Sequence, residues 1–223
     1  RLLAIQKSKK SLVCVGLDTD PAKLPAALHG HPEPFLEFNR RIIEATSDAA
    51  CAYKLNLAFY EAMGEKGWPL LQQTLACIPP DVITIGDAKR GDIGNTAEMY
   101  ARALFTEHGF ASATVNPYMG TDSVEPFLRD PERGAFILAL TSNPGSKDFQ
   151  YLKAGTRPLY IEVVRKVASW NRKKNCGLVV GATRPLSTAQ AAMNGFIVEP
   201  GSKVSVSARL RNWAPVRLRR SAG

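Results

Sequence analysis

Short apolar runs alternate with longer amphipathic segments along most of the chain. Most of the short runs are apolar on both faces, which is typical of strands in a parallel sheet that helices cover on both sides. They predict six strands, at residues 11–18, 50–57, 82–88, 112–118, 135–141 and 176–182. The longer segments predict five helices, at residues 34–49, 67–78, 95–109, 123–130 and 159–173. Strands and helices that alternate in this way predict an α/β protein.

Polar residues at the ends of the predicted strands distinguish a (β/α)8 barrel from an open doubly wound sheet. They stand at the carboxyl ends of five successive strands: Asp18, Lys54, Asp87 with Lys89, Asn116 and Ser142. In a barrel these ends converge on one central mouth, whereas in an open sheet they are spread along an edge. No G-x-G-x-x-G follows the first strand, and G-x-x-x-x-G-K-[ST] does not occur in the sequence. We therefore predict a (β/α)8 barrel that forms a single domain over residues 1–223.

The regular βα pattern covers residues 1–183 and does not continue beyond them. Two further units at the average spacing of about 33 residues would need about 66, and only 40 residues remain. Residues 195–203 and 203–210 could supply shortened seventh and eighth strands, although a changed reading frame or a loss of residues would equally account for the pattern. We therefore expect strands seven and eight, and the rest of residues 184–223, to be atypical or incomplete. A barrel that stopped at six strands would expose two sheet edges.

Composition and charge are those of an ordinary globular protein. Hydrophobic residues make up 45% of the chain and charged residues 22%. The formal net charge is +9, but residues 184–223 hold seven Lys or Arg and one Glu, so +6 lies there and only +3 elsewhere. A nearly balanced body is typical of an enzyme for a small anion rather than of a nucleic-acid binder. We therefore expect no nucleic-acid partner.

The apolar runs and the cysteines both favour a cytoplasmic protein. No run approaches the roughly 20 residues that a membrane helix needs, and the opening segment lacks the apolar core of a signal peptide. We therefore expect no membrane association. The four cysteines lie in apolar stretches without a C-x-x-C pair or a histidine cluster, which indicates reduced thiols rather than metal ligands or disulfides. They are Cys14, Cys51, Cys77 and Cys176. Reduced thiols are typical of the cytoplasm.

The segment DAKRGDIG, residues 87–94, concentrates charge directly after the apolar third strand. It could simply be a solvated loop, because charges are costly to desolvate. However, Asp87 and Lys89 are two residues apart and so point the same way from an extended strand. Lys54 stands at the matching height of the preceding strand, and Asp92 opens the following helix. Such alternation keeps each member ionised and presents a lysine that can deliver a proton. It suits a reaction that loses an anionic group and then protonates the carbanion left behind.

Five motifs together resemble the orotidine 5′-phosphate decarboxylase family over about residues 2–183. They are GLDTDP, YKLNLAFYE, DAKRGDIGNTAEMYA, TVNPYMG and LALTSNPGS, and the last resembles the bacterial subgroup with T-S-N-P-G. The D-x-K-x-x-D pattern of Asp87, Lys89 and Asp92 is shared with a wider suprafamily of barrel enzymes. The resemblance implies a dimeric (β/α)8 barrel that converts orotidine 5′-monophosphate (OMP) to UMP and CO2 in pyrimidine biosynthesis. It also implies that neither a metal nor an organic cofactor takes part.

The resemblance further implies a role for each matching residue. In the catalytic set, Lys54 would orient its neighbours and the ribose, Asp87 would lie against the substrate carboxylate, and Lys89 would protonate C6. Asp92, the fourth member, would cross a dimer interface with Thr96 to complete the partner's site. The substrate-binding set would comprise Asp18 on the ribose hydroxyls, Ser142 on the pyrimidine ring, Asn116 at the fourth strand end and Arg209 on the phosphate.

Two other functions remain open from the sequence. One is a sugar-phosphate lyase or aldolase of the same suprafamily, which would use Asp87 with Mg²⁺. The other is an inactive homologue that has lost its grip on the phosphate of a nucleotide. The second is considered because the family's P-G-x-G-A-Q-G-G loop and its S-S-R-A-I strand, which carries the phosphate-binding arginine, are not found as such.

Overall fold

The computed structural model describes residues 1–181, 197–201 and 205–206. Its strands are β1 (Val13–Gly16), β2 (Ala50–Asn56), β3 (Ile83–Arg90), β4 (Ser112–Val115), β5 (Gly134–Leu140), β6 (Lys153–Ala154), β7 (Arg157–Pro158), β8 (Cys176–Gly181), β9 (Ile197–Gly201) and β10 (Ser205–Val206). Eight of them form one sheet in the order β10-β1-β2-β3-β4-β5-β8-β9, and β6 and β7 form a separate small hairpin. The pairs from β1 to β9 along this order are all parallel.

Helices connect most of these strands. They are α1 (Leu2–Lys9), α2 (Pro34–Thr46), α3 (Leu57–Glu61), α4 (Gly67–Ala76), α5 (Gly94–Arg102), α6 (Thr121–Val124), α7 (Ser146–Phe149) and α8 (Leu159–Trp170). A π-helical segment, Ala103–Glu107, extends α5. Short 3-10 turns cover Pro21–Lys23, Ala26–Leu28, Gly64–Lys66 and Glu125–Leu128.

Local chemistry explains several helix boundaries. Pro34 stands at the first position of α2, where its missing N–H costs nothing. The side chain of Asn56 caps α3 by accepting a hydrogen bond from the N–H of Ala58 at 3.2 Å. In α8, Val164 and Val167 are buried while neighbouring cationic side chains are exposed. Its apolar face therefore packs on the sheet.

The predicted alternation of strands and helices is confirmed, with bounds that shift by a few residues. The largest local difference is at residues 123–130, where the sequence predicts one helix. The structure has the short α6 followed by a 3-10 turn. Pro126 lies in that turn and has no N–H to donate to the preceding turn, so a regular α-helix cannot continue through it. The short helices α1, α3 and α7 and the hairpin of β6 and β7 were not predicted.

The last two strands depart from a regular barrel, as the sequence predicts. β9 pairs in parallel with β8, but β10 pairs antiparallel with β1. Only three residues separate β9 from β10, whereas a parallel return needs a crossover of about a dozen. β9 and β10 lie near each other, so the sheet curls round on itself. The predicted strand regions 195–203 and 203–210 contain β9 and β10, respectively.

The core lies between the sheet and its helices. All residues of β4 and β8 are buried, so both faces of these strands are covered. The four cysteines, all within the described residues, form no disulfide bond. Burial raises the pKa of the Cys176 thiol to about 12, so this thiol stays protonated near neutral pH. Within the part of the chain that the structure describes, no helix is both long and apolar enough to span a bilayer.

Candidate active site

Neighbouring parallel strands bring three charged residues to the same end of the sheet. Gly16 of β1 is in register with Lys54 of β2, and Asn56 of β2 is in register with Asp87 of β3. The Lys54 ammonium lies 3.2 Å from Oδ1 of Asp18 and 3.0 Å from Oδ2 of Asp87. Lys54 therefore links the carboxylate that follows β1 to the carboxylate near the end of β3. We call Asp18, Lys54, Asp87 and Lys89 the charged array.

Asp87 is the most buried member of the charged array. Its side chain is 9% exposed, compared with 14% for Lys54 and 49% for Lys89. Oδ2 accepts from Lys54, while Oδ1 accepts from the Lys89 ammonium at 2.6 Å and from the Thr114 hydroxyl at 2.8 Å. Both carboxylate oxygens thus have partners. The half-exposed Lys89 is the cation that remains accessible to a bound molecule.

Opposing influences act on the Asp87 carboxyl. Burial is the largest and raises its pKa, because the charged form loses water. The nearby Lys54 ammonium, the hydrogen bond and charge of Lys89, and the Thr114 hydroxyl all lower it. Together they outweigh burial, so the pKa of Asp87 lies below its ordinary value. Asp87 is therefore an anion throughout the neutral range, and its charge keeps both ammonium groups close.

The backbone at Lys89 is in an uncommon conformation. Its φ is 48°, in the left-handed region that residues other than glycine rarely adopt. The pairing of β3 with β4 runs through Gly86↔Ala113 and resumes at Arg90↔Val115. Three residues of β3 therefore stand opposite Thr114 alone, which makes a bulge. Strain of this kind clusters at functional sites.

A second set of contacts holds Arg90, the last residue of β3, which directly follows Lys89. The guanidinium of Arg90 pairs with Glu61 at the end of α3 and lies 5.1 Å from the ring centroid of Tyr100 on α5. Arg90 therefore joins the end of β3 to the elements before and after it. The sequence patterns did not indicate this link, because the three residues are far apart along the chain and only the fold brings them together.

Asp92 and Thr96 lie apart from the charged array. Oδ1 of Asp92 accepts from the N–H of Ile93 at 2.8 Å, and among the described residues Asp92 forms no ion pair. Thr96 is exposed on the first turn of α5. The structure of one chain therefore does not bring Asp92 into contact with Lys54, Asp87 or Lys89.

The remaining predicted site residues have varied surroundings. Asn116 is exposed at the end of β4, and its Oδ1 accepts from the N–H of Tyr118 at 3.0 Å. Ser142 follows β5 and packs against Gly181 at the end of β8, where an added Cβ would lie 3.1 Å from the Ser142 Cβ. A side chain at residue 181 would therefore displace Ser142. Arg209 lies outside the described residues.

Within the described ranges, no group of three or more histidine, cysteine or carboxylate side chains is arranged to hold a metal ion. What the site does hold is a lysine–carboxylate array at the carboxyl ends of parallel strands. Such an array can bind an anion and transfer a proton. Fold and array together define a class: α/β-barrel proteins whose site is built from lysine and aspartate at the strand ends.

Comparison with known proteins identifies the family within this class. The model of the orotidine 5′-phosphate decarboxylase / HUMPS family matches residues 11–210. The orotidine 5′-phosphate decarboxylase of Dehalococcoides mccartyi (strain BAV1) is 54% identical over 179 residues, 78% of this chain and 64% of that protein. That of Herpetosiphon aurantiacus is 50% identical over 188 residues, 83% of this chain and 70% of that protein. The chain belongs to the orotidine 5′-phosphate decarboxylase / HUMPS family.

A solved structure supports the same assignment. Leishmania donovani OMP decarboxylase superposes with a TM-score of 0.78 and 40% sequence identity, over 88% of this chain and 78% of that one. The predicted α/β-barrel class is thereby confirmed. The chain covers less than two thirds of the length of the Dehalococcoides relative.

Proposed function

We propose that the protein carrying this chain decarboxylates OMP to UMP and CO2, a step of pyrimidine biosynthesis. Family membership supports this proposal. The observation that carries it is the Asp87 carboxylate held between the ammonium groups of Lys54 and Lys89, at 3.0 and 2.6 Å. This arrangement supplies an ionised proton donor beside a fixed negative charge, which is what loss of a carboxylate followed by protonation of carbon needs.

In the proposed reaction, the substrate carboxylate lies next to Asp87. The bond between C6 and the carboxylate carbon breaks, CO2 leaves, and the electron pair stays on C6. The positive charge of Lys89 stabilises this developing carbanion. Lys89 then gives a proton to C6 to form the new C–H bond, and the resulting neutral amine takes a proton back from solvent. Asp87 keeps the Lys89 ammonium next to the reacting carbon.

The substrate-binding residues have proposed roles at the rim of the charged array. Asp18 and Lys54 contact the ribose hydroxyls, and Ser142 with Asn116 lies towards the base. Asp18 is 41% exposed and is held by Lys54, so its carboxylate can accept from a hydroxyl. Arg209 is the proposed phosphate ligand. Phosphate binding would add energy far from the reacting carbon, and that energy helps to close the site.

We further propose a cytoplasmic homodimer in which Asp92 and Thr96 complete the partner's site. Ile93 immediately precedes α5 in an extended conformation, and Thr96 and Met99 are three residues apart on α5 and therefore neighbours on its surface. Ile93 is 56% and Met99 47% exposed. Exposed apolar side chains around a polar pair are typical of a protein interface. Cysteines that form no disulfide suit the reducing cytoplasm.

Loss of OMP absorbance, followed with the purified full-length protein with and without a chelator, tests the proposed reaction. We expect chelator-insensitive turnover that falls by about 100- to 10,000-fold in Lys89→Ala, because the proton donor is lost. Lys166→Ala, which removes an exposed lysine on α8, is the control and should retain wild-type turnover. Equal rates for wild type and Lys89→Ala would contradict the proposal. Loss of activity with chelator would indicate the Mg²⁺-dependent lyase instead.

A further inference from the structure

Thr114 lies beneath the charged array and contacts two of its members. It stands on β4, is 1% exposed, and faces the bulge that contains Asp87 and Lys89. Its hydroxyl donates to Oδ1 of Asp87 at 2.8 Å and accepts from the backbone N–H of Lys89 at 2.9 Å. One buried oxygen thus holds the side chain of one residue and the main chain of the other.

The bulge explains why a hydroxyl is needed here. The ladder between β3 and β4 is interrupted between Gly86 and Arg90, so the N–H of Lys89 cannot pair with a β4 carbonyl in the regular way. A backbone donor without a partner is costly when water is excluded. The Asp87 carboxylate can only accept and the Lys89 N–H can only donate, so the group between them must do both. Among small side chains, the hydroxyl of Ser or Thr does this.

The same contacts offset a local strain. The left-handed φ of 48° at Lys89 is unfavourable for a residue other than glycine, because Cβ then lies too close to the following carbonyl oxygen. The hydrogen bond from Lys89 N–H to Thr114 holds that conformation, and the conformation lets the Lys89 side chain return to Asp87. Without the Thr114 hydroxyl, the backbone can relax and carry the ammonium away from its place beside Asp87.

We propose that Thr114 is a positioning residue for the decarboxylation, because its hydroxyl locks the Asp87 carboxylate and the strained Lys89 backbone in the geometry that presents the Lys89 ammonium to C6. This proposal rests on the proposed function above. Thr114 acts through Asp87 and Lys89, so its loss should impair the chemical step more than substrate binding.

The test replaces the hydroxyl by a methyl group in the full-length protein. We expect Thr114→Val to lower kcat about 10- to 100-fold through misplacement of Lys89, with KM changed by less than about threefold. Thr114→Ser restores the hydroxyl and should recover most of kcat. The control is Thr84→Val, the same change on β3, where the hydroxyl accepts from the N–H of Ala111 at 3.0 Å and is not part of the charged array. It should leave kcat unchanged.

A second readout separates this proposal from the proposed function. The carboxyl signal of Asp87, followed by 13C NMR against pH and assigned with Asp87→Asn, should titrate at a higher pKa in Thr114→Val than in wild type or Thr84→Val. The reason is that a hydrogen bond to the charged form is removed. If wild type does not decarboxylate OMP, the proposed function fails, and a shifted Asp87 titration still supports the positioning of the array.

Two results would overturn the proposal. One is an Asp87 titration in Thr114→Val that coincides with wild type, whatever the turnover. The other is a wild-type kcat in Thr114→Val when the wild-type protein is active. If Thr114→Val does not fold, Thr114→Ala takes its place in both measurements, and the same two results decide against the proposal.

Discussion

The segment from Asp87 to Thr96 has two halves, and they differ in how many contacts their side chains make within one chain. Asp87 and Lys89 are held by contacts within the chain, through Lys54, Thr114 and each other. Asp92 and Thr96, a few residues later, lie half-buried and exposed, respectively, and outside that network. One short motif therefore contains a buried part that a single chain completes and an outward part that lies outside this network and that we propose completes a partner's site.

Replacing Asp87 in the first half should lower the free energy of unfolding much more than replacing Asp92 in the second half. Asp87→Ala leaves the Lys54 and Lys89 ammonium groups without their shared carboxylate. Loss of one partner from a buried ion pair typically costs about 3–5 kcal/mol, so we expect a fall in the free energy of unfolding towards that range, together with loss of turnover. Urea unfolding of the full-length protein measures the change. Asp92→Ala is the matched control and should cost less than about 1 kcal/mol. Equal losses of unfolding free energy in Asp87→Ala and Asp92→Ala would show that the two halves do not differ in their contribution to stability.

Low pH should remove the stability that the ionised Asp87 carboxylate contributes. The folded-state pKa of Asp87 lies below its ordinary value of 3.8, so its ionised form stabilises the protein above that pH. This contribution is lost as the pH falls from about 3.8 through the lower folded-state pKa. The difference in unfolding free energy between wild type and Asp87→Asn should therefore shrink over that acid range. Denaturant unfolding at several pH values checks this, and a difference that stays constant into acid would contradict it.

Loss of the ion pair between Arg90 and Glu61 should have the smallest effect on stability and turnover. Glu61→Gln removes the charge that pairs with Arg90, whose side chain is 26% exposed, while Glu61 is 35% exposed. Solvent screens such a pair, so we expect a loss of at most about 1 kcal/mol and a modest change in turnover. Thermal unfolding and the OMP assay measure both. Glu98→Gln, which neutralises a similarly paired surface carboxylate on α5, is the control change. A loss of several kcal/mol in Glu61→Gln alone would show that Arg90 contributes more than a screened ion pair.

Much of the fold and part of the site follow from local sequence patterns. The alternation of apolar runs and amphipathic segments predicted the central strands and main helices. The two-residue spacing of Asp87 and Lys89 predicted that their side chains meet, but they meet through the left-handed backbone of Lys89 in a bulge rather than through an extended strand. Thr114 could not be recognised in this way, because SATV has the pattern of an ordinary buried strand. Its role depends on a bulge and on the φ of Lys89, which arise only when β3 and β4 pair.

Longer-range features were also beyond the sequence patterns. The Arg90 contacts with Glu61 and Tyr100 join residues from three elements. The pairing of β10 with β1 joins strands from opposite ends of the chain, so local patterns do not reveal it. The proposed roles of Asp92 and Thr96 concern a second chain, so the geometry of one chain does not contain their contacts.

The proposed division of the motif between two chains can be tested directly with a mixed dimer. A heterodimer of one Lys89→Ala chain and one Asp92→Ala chain is made by co-expression with two different tags, purified through both, and assayed for OMP turnover. If Lys89 acts within its own chain's site and Asp92 completes the partner's site, one of the two sites is intact. The heterodimer should then show about half the wild-type activity per dimer, while each single-variant protein is nearly inactive. A heterodimer as inactive as its parents would contradict this division.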